Sequence, residues 1–81
     1  MGKCGIKKGE IRFCEEINEE YLVLGRTPYQ KRAFRVLWKC GLRSHDMIDD
    51  IQHDKIVAKI ENFRAKDKNM VSVFMRRGME R

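Results

Sequence analysis

Apolar side chains recur at helical spacing along most of this chain. Cys14, Ile17, Tyr21 and Leu24 fall at i, i+3, i+7 and i+10, and Glu15, Glu16, Glu19 and Glu20 occupy the other side. That pattern predicts an amphipathic helix over residues 10–24, ended by Gly25. Thr27-Pro28 reads as a helix start, with the threonine hydroxyl as N-cap and proline at the first helical position, where its missing N–H costs no hydrogen bond. A second helix then runs from Tyr29 to Cys40, with Ala33, Phe34, Val36, Leu37 and Trp38 forming a broad apolar stripe before Gly41. Ser44 caps a short helix through Ile51, in which Met47, Ile48 and Ile51 point inward and Asp46, Asp49 and Asp50 outward. After the connection Gln52-His53-Asp54, the positions Ile56, Val57, Ile60 and Phe63 define one face of a helix spanning roughly Asp54 to Asp67. A last helix is predicted by Met70, Val71, Phe74 and Met75, before Gly78.

These elements add up to an all-α fold, a small bundle of four to five helices containing a helix-turn-helix. Residues 1–9, with three glycines and three lysines, read as a flexible basic arm. Residues 10–81 read as a single helical domain, made of the extra N-terminal helix 10–24 and a helix-turn-helix-like core over 27–78. A chain of 81 residues makes one domain with a small core, burying only about 60–65% of its unfolded surface.

Charge then narrows the function. The formal net charge is +6, and a positive surface gains from counterion release against phosphates. Residues 1–25 hold four of the 18 Lys and Arg but five of the 12 Asp and Glu, so the positive excess belongs to the remainder. Between Arg26 and Arg43 there are six basic residues and no acidic one. The three cysteines have no C-x-x-C spacing, and no apolar run reaches the length of a signal peptide or membrane span, which points to a reduced intracellular setting, cytoplasm or nucleoid. Cys40, His45 and His53 match no common zinc spacing, so neither a metal nor a cofactor is expected. With no glycine-rich phosphate loop and no nucleophile elbow, the chain reads as non-catalytic.

The helix over 54–67 carries the functional expectation. Projection at 100° per residue sets Lys55, Ala58, Lys59, Asn62, Ala65 and Lys66 on its outer side. Small alanines there allow close approach to a groove, lysines meet phosphates, and Asn62 has the paired donor and acceptor that adenine requires. From Arg26 onward the chain also resembles the LuxR/GerE-type helix-turn-helix domains. The resemblance rests on Thr27-Pro28-Tyr29-Gln30-Lys31-Arg32, on Val36-Leu37 with Gly41-Leu42, on Asp46 to Ile51, and on Met70 to Gly78. It implies that Lys55, Lys59 and Asn62 face the major groove, with Lys66 nearer the backbone and Arg26, Lys31 and Arg43 on phosphates. It further implies a homodimer on pseudo-palindromic sites.

The leading expectation is a small module that binds duplex DNA, a transcriptional regulator. The alternative is a protein-interaction module, an adaptor or inhibitor of a nucleic-acid enzyme, that meets a protein partner through Asp46, Asp49 and Asp50, since three carboxylates beside a groove repel phosphate. RNA binding comes third, because Tyr29 is the one aromatic placed near the basic edge for stacking. No membrane partner is expected.

Overall fold

Tyr21, Leu22, Val23 and Leu24 are each no more than 3% exposed. Four buried side chains in succession are what a strand covered on both faces produces, since its residues point alternately to the two sides. The computed structural model, which describes residues 5–77, accordingly shows a five-stranded antiparallel sheet with two short helices in place of the expected all-α bundle. The elements are β1 (Glu10–Cys14), β2 (Glu19–Arg26), β3 (Ala33–Trp38), β4 (Arg43–Met47), α1 (Ile48–Gln52), β5 (Lys55–Lys59) and α2 (Lys68–Arg76).

Each departure from the helical reading has a local cause. The segment 10–24 is not a helix but the β1–β2 hairpin. Its loop closes with Asn18 in the left-handed region at φ 63°, its amide donating to the Cys14 carbonyl at 2.7 Å. Thr27-Pro28 opens the loop between β2 and β3. The Thr27 amide bonds the Ala33 carbonyl at 3.1 Å, and its buried hydroxyl caps nothing. Within β3, Ala33, Phe34, Val36, Leu37 and Trp38 are all buried, so the apparent stripe from Ala33 to Trp38 is an interior strand covered on both faces. Ser44 caps no helix either: its hydroxyl accepts from Trp38 Nε1 at 2.9 Å and donates to Asp46 at 3.1 Å from within β4. The expected recognition helix over 54–67 is replaced by β5, a turn with Asn62 at φ 53°, and a loop leading to α2. The helix-turn-helix expected within 27–78 therefore does not form. Of the predicted helices, the last is present as α2, with Asp67 as N-cap accepting the Asn69 amide at 2.9 Å, and the short one survives as the single turn α1.

The sheet order is β4-β3-β2-β1-β5. Since every neighbouring pair is antiparallel, β4 and β5 run in the same direction at opposite edges, and the chain between them must climb a strand length as well as cross the sheet. In a flat sheet the outer strands would lie about 19 Å apart, and a five-residue helix supplies only about 7.5 Å. The sheet therefore curls around α1. Two bulges increase the twist, at Val57 in β5 and at Leu24 in β2, where one strand carries an extra residue opposite its partner.

Each face holds its own core. On the α1 side lie Ile6, Tyr21, Val23, Phe34, Val36, Trp38, Ile48 and Ile51. On the α2 side Phe74, fully buried, leads Met70, Val71 and Met75 onto Ile11, Leu22, Leu24, Leu37 and Phe63. Ala58, expected on an outward helix face, packs here as well. Lys39 fastens the end of α2: its ammonium lies 4.7 Å from the centre of the Phe74 ring and donates to the Phe74 carbonyl, and burial there lowers its pKa.

Gly9 joins the two cores. Its amide donates to the Val23 carbonyl and its carbonyl accepts from Ile60, both at 2.8 Å, with φ at 92°. An added Cβ would lie 2.7 Å from Phe63 Cβ and 2.8 Å from the Ile60 oxygen. Gly9→Ala is therefore expected to destabilise the fold by about 2–3 kcal/mol, from overpacking plus backbone strain. Urea unfolding checks this, a lower midpoint at unchanged slope being the expected result.

Candidate nucleic-acid interface

At the end of the sheet where β1 begins and β2 and β5 finish, the chain forms a concavity of about 630 Å³. Lys7, Lys8, Arg26 and Lys59 line it together with Asn62. Phe34 and Phe63, each 3% exposed, form its floor. The Arg26 guanidinium stands 5.2 Å from the centre of the Phe34 ring and donates to the Lys31 carbonyl at 3.0 Å, which holds the β2–β3 loop beside the cleft. Arg35 of β3 lies beside Gly25, where an added Cβ would sit 3.3 Å from its Nη2, but it does not line the cleft.

Two carboxylates lie among these cations. Glu10 is 3% exposed and bound to Arg12, its Oε1 accepting from Nη2 at 2.7 Å and from Nε at 3.0 Å, so its charge is turned inward. Glu61 stands on the rim. The exposed ammonium groups of Lys7, Lys8 and Lys59 form no ion pair among the described residues, so the end as a whole is positive.

Of the expected nucleic-acid residues, Arg26, Lys59 and Asn62 meet in this cleft and Lys31 borders it. They arrive from three separate segments rather than along one helix. Lys55 does not join them. It lies at the far end of β5, beside Phe13 of β1, and Arg43 begins β4 at that same far end. Lys66 is exposed in the loop before α2. Lys7 and Lys8 were not among the residues expected to bind; their signal is the run Lys7-Lys8-Gly9, whose glycine fixes the pair at the mouth of the cleft.

The opposite end of the α1 side is a groove of about 940 Å³ with Trp38, Asp46, Asp50 and Asp54 in its walls. Tyr21 donates to Asp54 at 2.6 Å, and burial together with that bond pushes the phenol pKa far up, keeping it a donor. Asp49, by contrast, faces Arg32 at 2.8 Å on the exterior. Among the described residues no group of three His, Cys, Asp or Glu is placed to hold a metal ion, and no helix is long and apolar enough to cross a membrane. Comparison with family models, with curated proteins and with solved structures gives no match.

Burial holds the Asp46 carboxyl above its ordinary 3.8; the Ser44 hydroxyl opposes this and the charges of Asp50 and Asp54 add to it. A carboxyl whose pKa rises on folding costs stability when ionised, so the cost is absent below 3.8 and complete above the folded value. Asp46→Asn keeps the acceptor and removes the charge. It is expected to raise the thermal midpoint at neutral pH, and the difference from the parent should vanish at about pH 3; melts followed by circular dichroism at the two pH values check this.

Proposed function

We propose that this chain is a small, non-catalytic module that binds the backbone of a nucleic acid at its basic end. One observation carries the reading: Lys7, Lys8, Arg26 and Lys59, from three separate segments, converge on one concave surface, and of its two carboxylates Glu10 is neutralised from within by Arg12 and Glu61 stands at the rim. Lysine ammonium groups at the rim act as point charges on phosphates, and the Arg26 guanidinium adds to the positive field of the same surface. Such interactions fix affinity and register without reading bases. Asn62, exposed in the turn after β5, and Tyr29, 97% exposed in the loop that carries Lys31, supply what hydrogen-bonding or stacking selectivity the surface has.

Fluorescence anisotropy of labelled random duplex DNA, single-stranded DNA and RNA, each at several salt concentrations, tests the reading. Lys8→Glu with Lys59→Glu is expected to weaken binding by about tenfold or more at low salt. The double variant should also flatten the plot of log affinity against log salt, by about 0.9 for each duplex phosphate it no longer neutralises, or about 0.7 on a single strand. Unaltered affinity and slope in the double variant would remove this surface from consideration.

A further inference from the structure

The groove at the other end of the α1 side is apolar in its lining and acidic around it. Ile17, Met47 and Val57 reach into it and are 57%, 36% and 38% exposed, while Trp38, 7% exposed, lies beneath them. Five carboxylates surround it: Glu15 and Glu16 from the β1–β2 hairpin, Asp46 from β4, Asp50 from α1 and Asp54 from the start of β5. Asp46 and Asp54 take hydrogen bonds from Ser44 and Tyr21, but none of the five forms an ion pair among the described residues. Lys55 is the one Lys or Arg in the lining, and His45 and His53 are its two histidines. In a chain carrying 18 Lys and Arg, leaving five carboxylates unpaired around exposed apolar side chains is costly by mutual repulsion, and an incoming cation relieves it.

We propose that this groove docks a cationic, amphipathic polypeptide segment, which sets arginine or lysine against the five carboxylates and an apolar side chain between Ile17, Met47 and Val57. The two requirements come from the two halves of the lining: charge selects and steers the partner, and apolar burial over Trp38 retains it. A second copy of this chain meets the first requirement with the lysines of its basic end, but Ile6, Phe34 and Phe63 there are 6%, 3% and 3% exposed, and the exposed ring of that end, Tyr29, stands out on the β2–β3 loop away from the cleft lining. The proposal is independent of nucleic-acid binding, since the two surfaces share no residue.

Trp38 is the only tryptophan of the chain, so its fluorescence reports on this groove alone. The intact protein is titrated with a short peptide of alternating arginine and leucine, with the same length of alternating glutamate and leucine, and with alternating arginine and serine; labelled peptides give affinities by anisotropy. The arginine–leucine peptide is expected to give a saturable change in Trp38 emission that weakens as salt is raised. The arginine–serine peptide should bind about tenfold more weakly and the glutamate–leucine peptide not at all. Glu16→Lys with Asp50→Lys should lower affinity for the arginine–leucine peptide by about tenfold or more, and the milder Asp50→Asn by about threefold should the double variant fail to fold. Nucleic-acid affinity should not fall in either. Absence of a saturable response, an equal response to the glutamate peptide, or full binding by a folded variant would overturn the proposal. So would a Trp38 shift that depends on protein concentration without peptide and accompanies a dimer in sedimentation, which would assign the groove to a second copy.

Discussion

The Arg12 guanidinium is the interaction on which the remaining architecture depends. It lies in the middle of β1, 6% exposed, and its Nη1 donates to the carbonyl oxygens of Ile51 and Asp54 at 3.0 Å each, the first at the end of α1 and the second at the entry to β5. Glu10 occupies its other nitrogens. A buried guanidinium is tolerated only when its donors and its charge are both satisfied, and truncating one partner of such a pair typically costs about 3–5 kcal/mol. The crossover from β4 to β5 has almost no regular structure of its own, a single helical turn without a side-chain cap. Arg12 supplies what that turn lacks, by pulling two of its terminal carbonyls down onto the sheet. Tyr21, on the adjacent strand and opposite Arg12 in register, holds the same connection through the Asp54 side chain.

The two faces of the sheet are held by different physics as a consequence. Under α2 the packing is apolar, with Phe74 at its centre, and polar fastenings occur at the margins: Lys39 on the helix end and Arg77 against Glu20 at 3.0 Å. Under α1 the core is threaded by polar chains, Glu10 to Arg12 to the crossover carbonyls, Tyr21 to Asp54, and Trp38 through Ser44 to Asp46. Hydrogen bonds of this kind need a fixed geometry, whereas apolar packing does not, so the α1 side is where the curl of the sheet is set. Both concave surfaces open along that curl, and they share no lining residue.

The sequence conveyed much of the core but not its conformation. Tyr21, Leu24, Phe34, Val36, Trp38, Ile51, Phe63 and Phe74 were legible as core and are buried, whereas Ile17, Met47, Ile56 and Val57, read as inward by the same helical spacing, are 57%, 36%, 40% and 38% exposed. Spacings such as 14, 17, 21 and 24 satisfy a helical face, yet a strand buried on both sides accepts any apolar position, so periodicity cannot separate the two in short segments. The signals that favour strands were local: Asn18 in a left-handed turn, and the branched pair Ile56-Val57. β4 could not be found from hydropathy, since Arg43, Ser44, His45 and Asp46 give it no apolar alternation. α2 was found because Met70, Val71, Phe74 and Met75 recur at helical spacing, while its cap, Asp67, was read as the end of the preceding helix.

Part of the basic surface was legible for a reason that outlasts the wrong conformation. Arg26 and Lys59 end β2 and β5, the strands that flank β1 on its two sides, and residues at strand ends are gathered by topology whatever their spacing in the chain. Lys55 and Lys59, placed together on a helix, are separated instead, because the strand carries them about 13 Å apart and the bulge at Val57 turns them to opposite faces, one beside Phe13 and the other beside Glu10. Glu10 would set a carboxylate in the middle of the lysines, were it not drawn inward by Arg12. One guanidinium thus does two things: it binds the crossover that curls the sheet, and it cancels the one buried acid of the basic end. The acids without an ion pair in the second groove then stand apart from these lysines, and a net charge of +6 resolves into two surfaces of opposite sign.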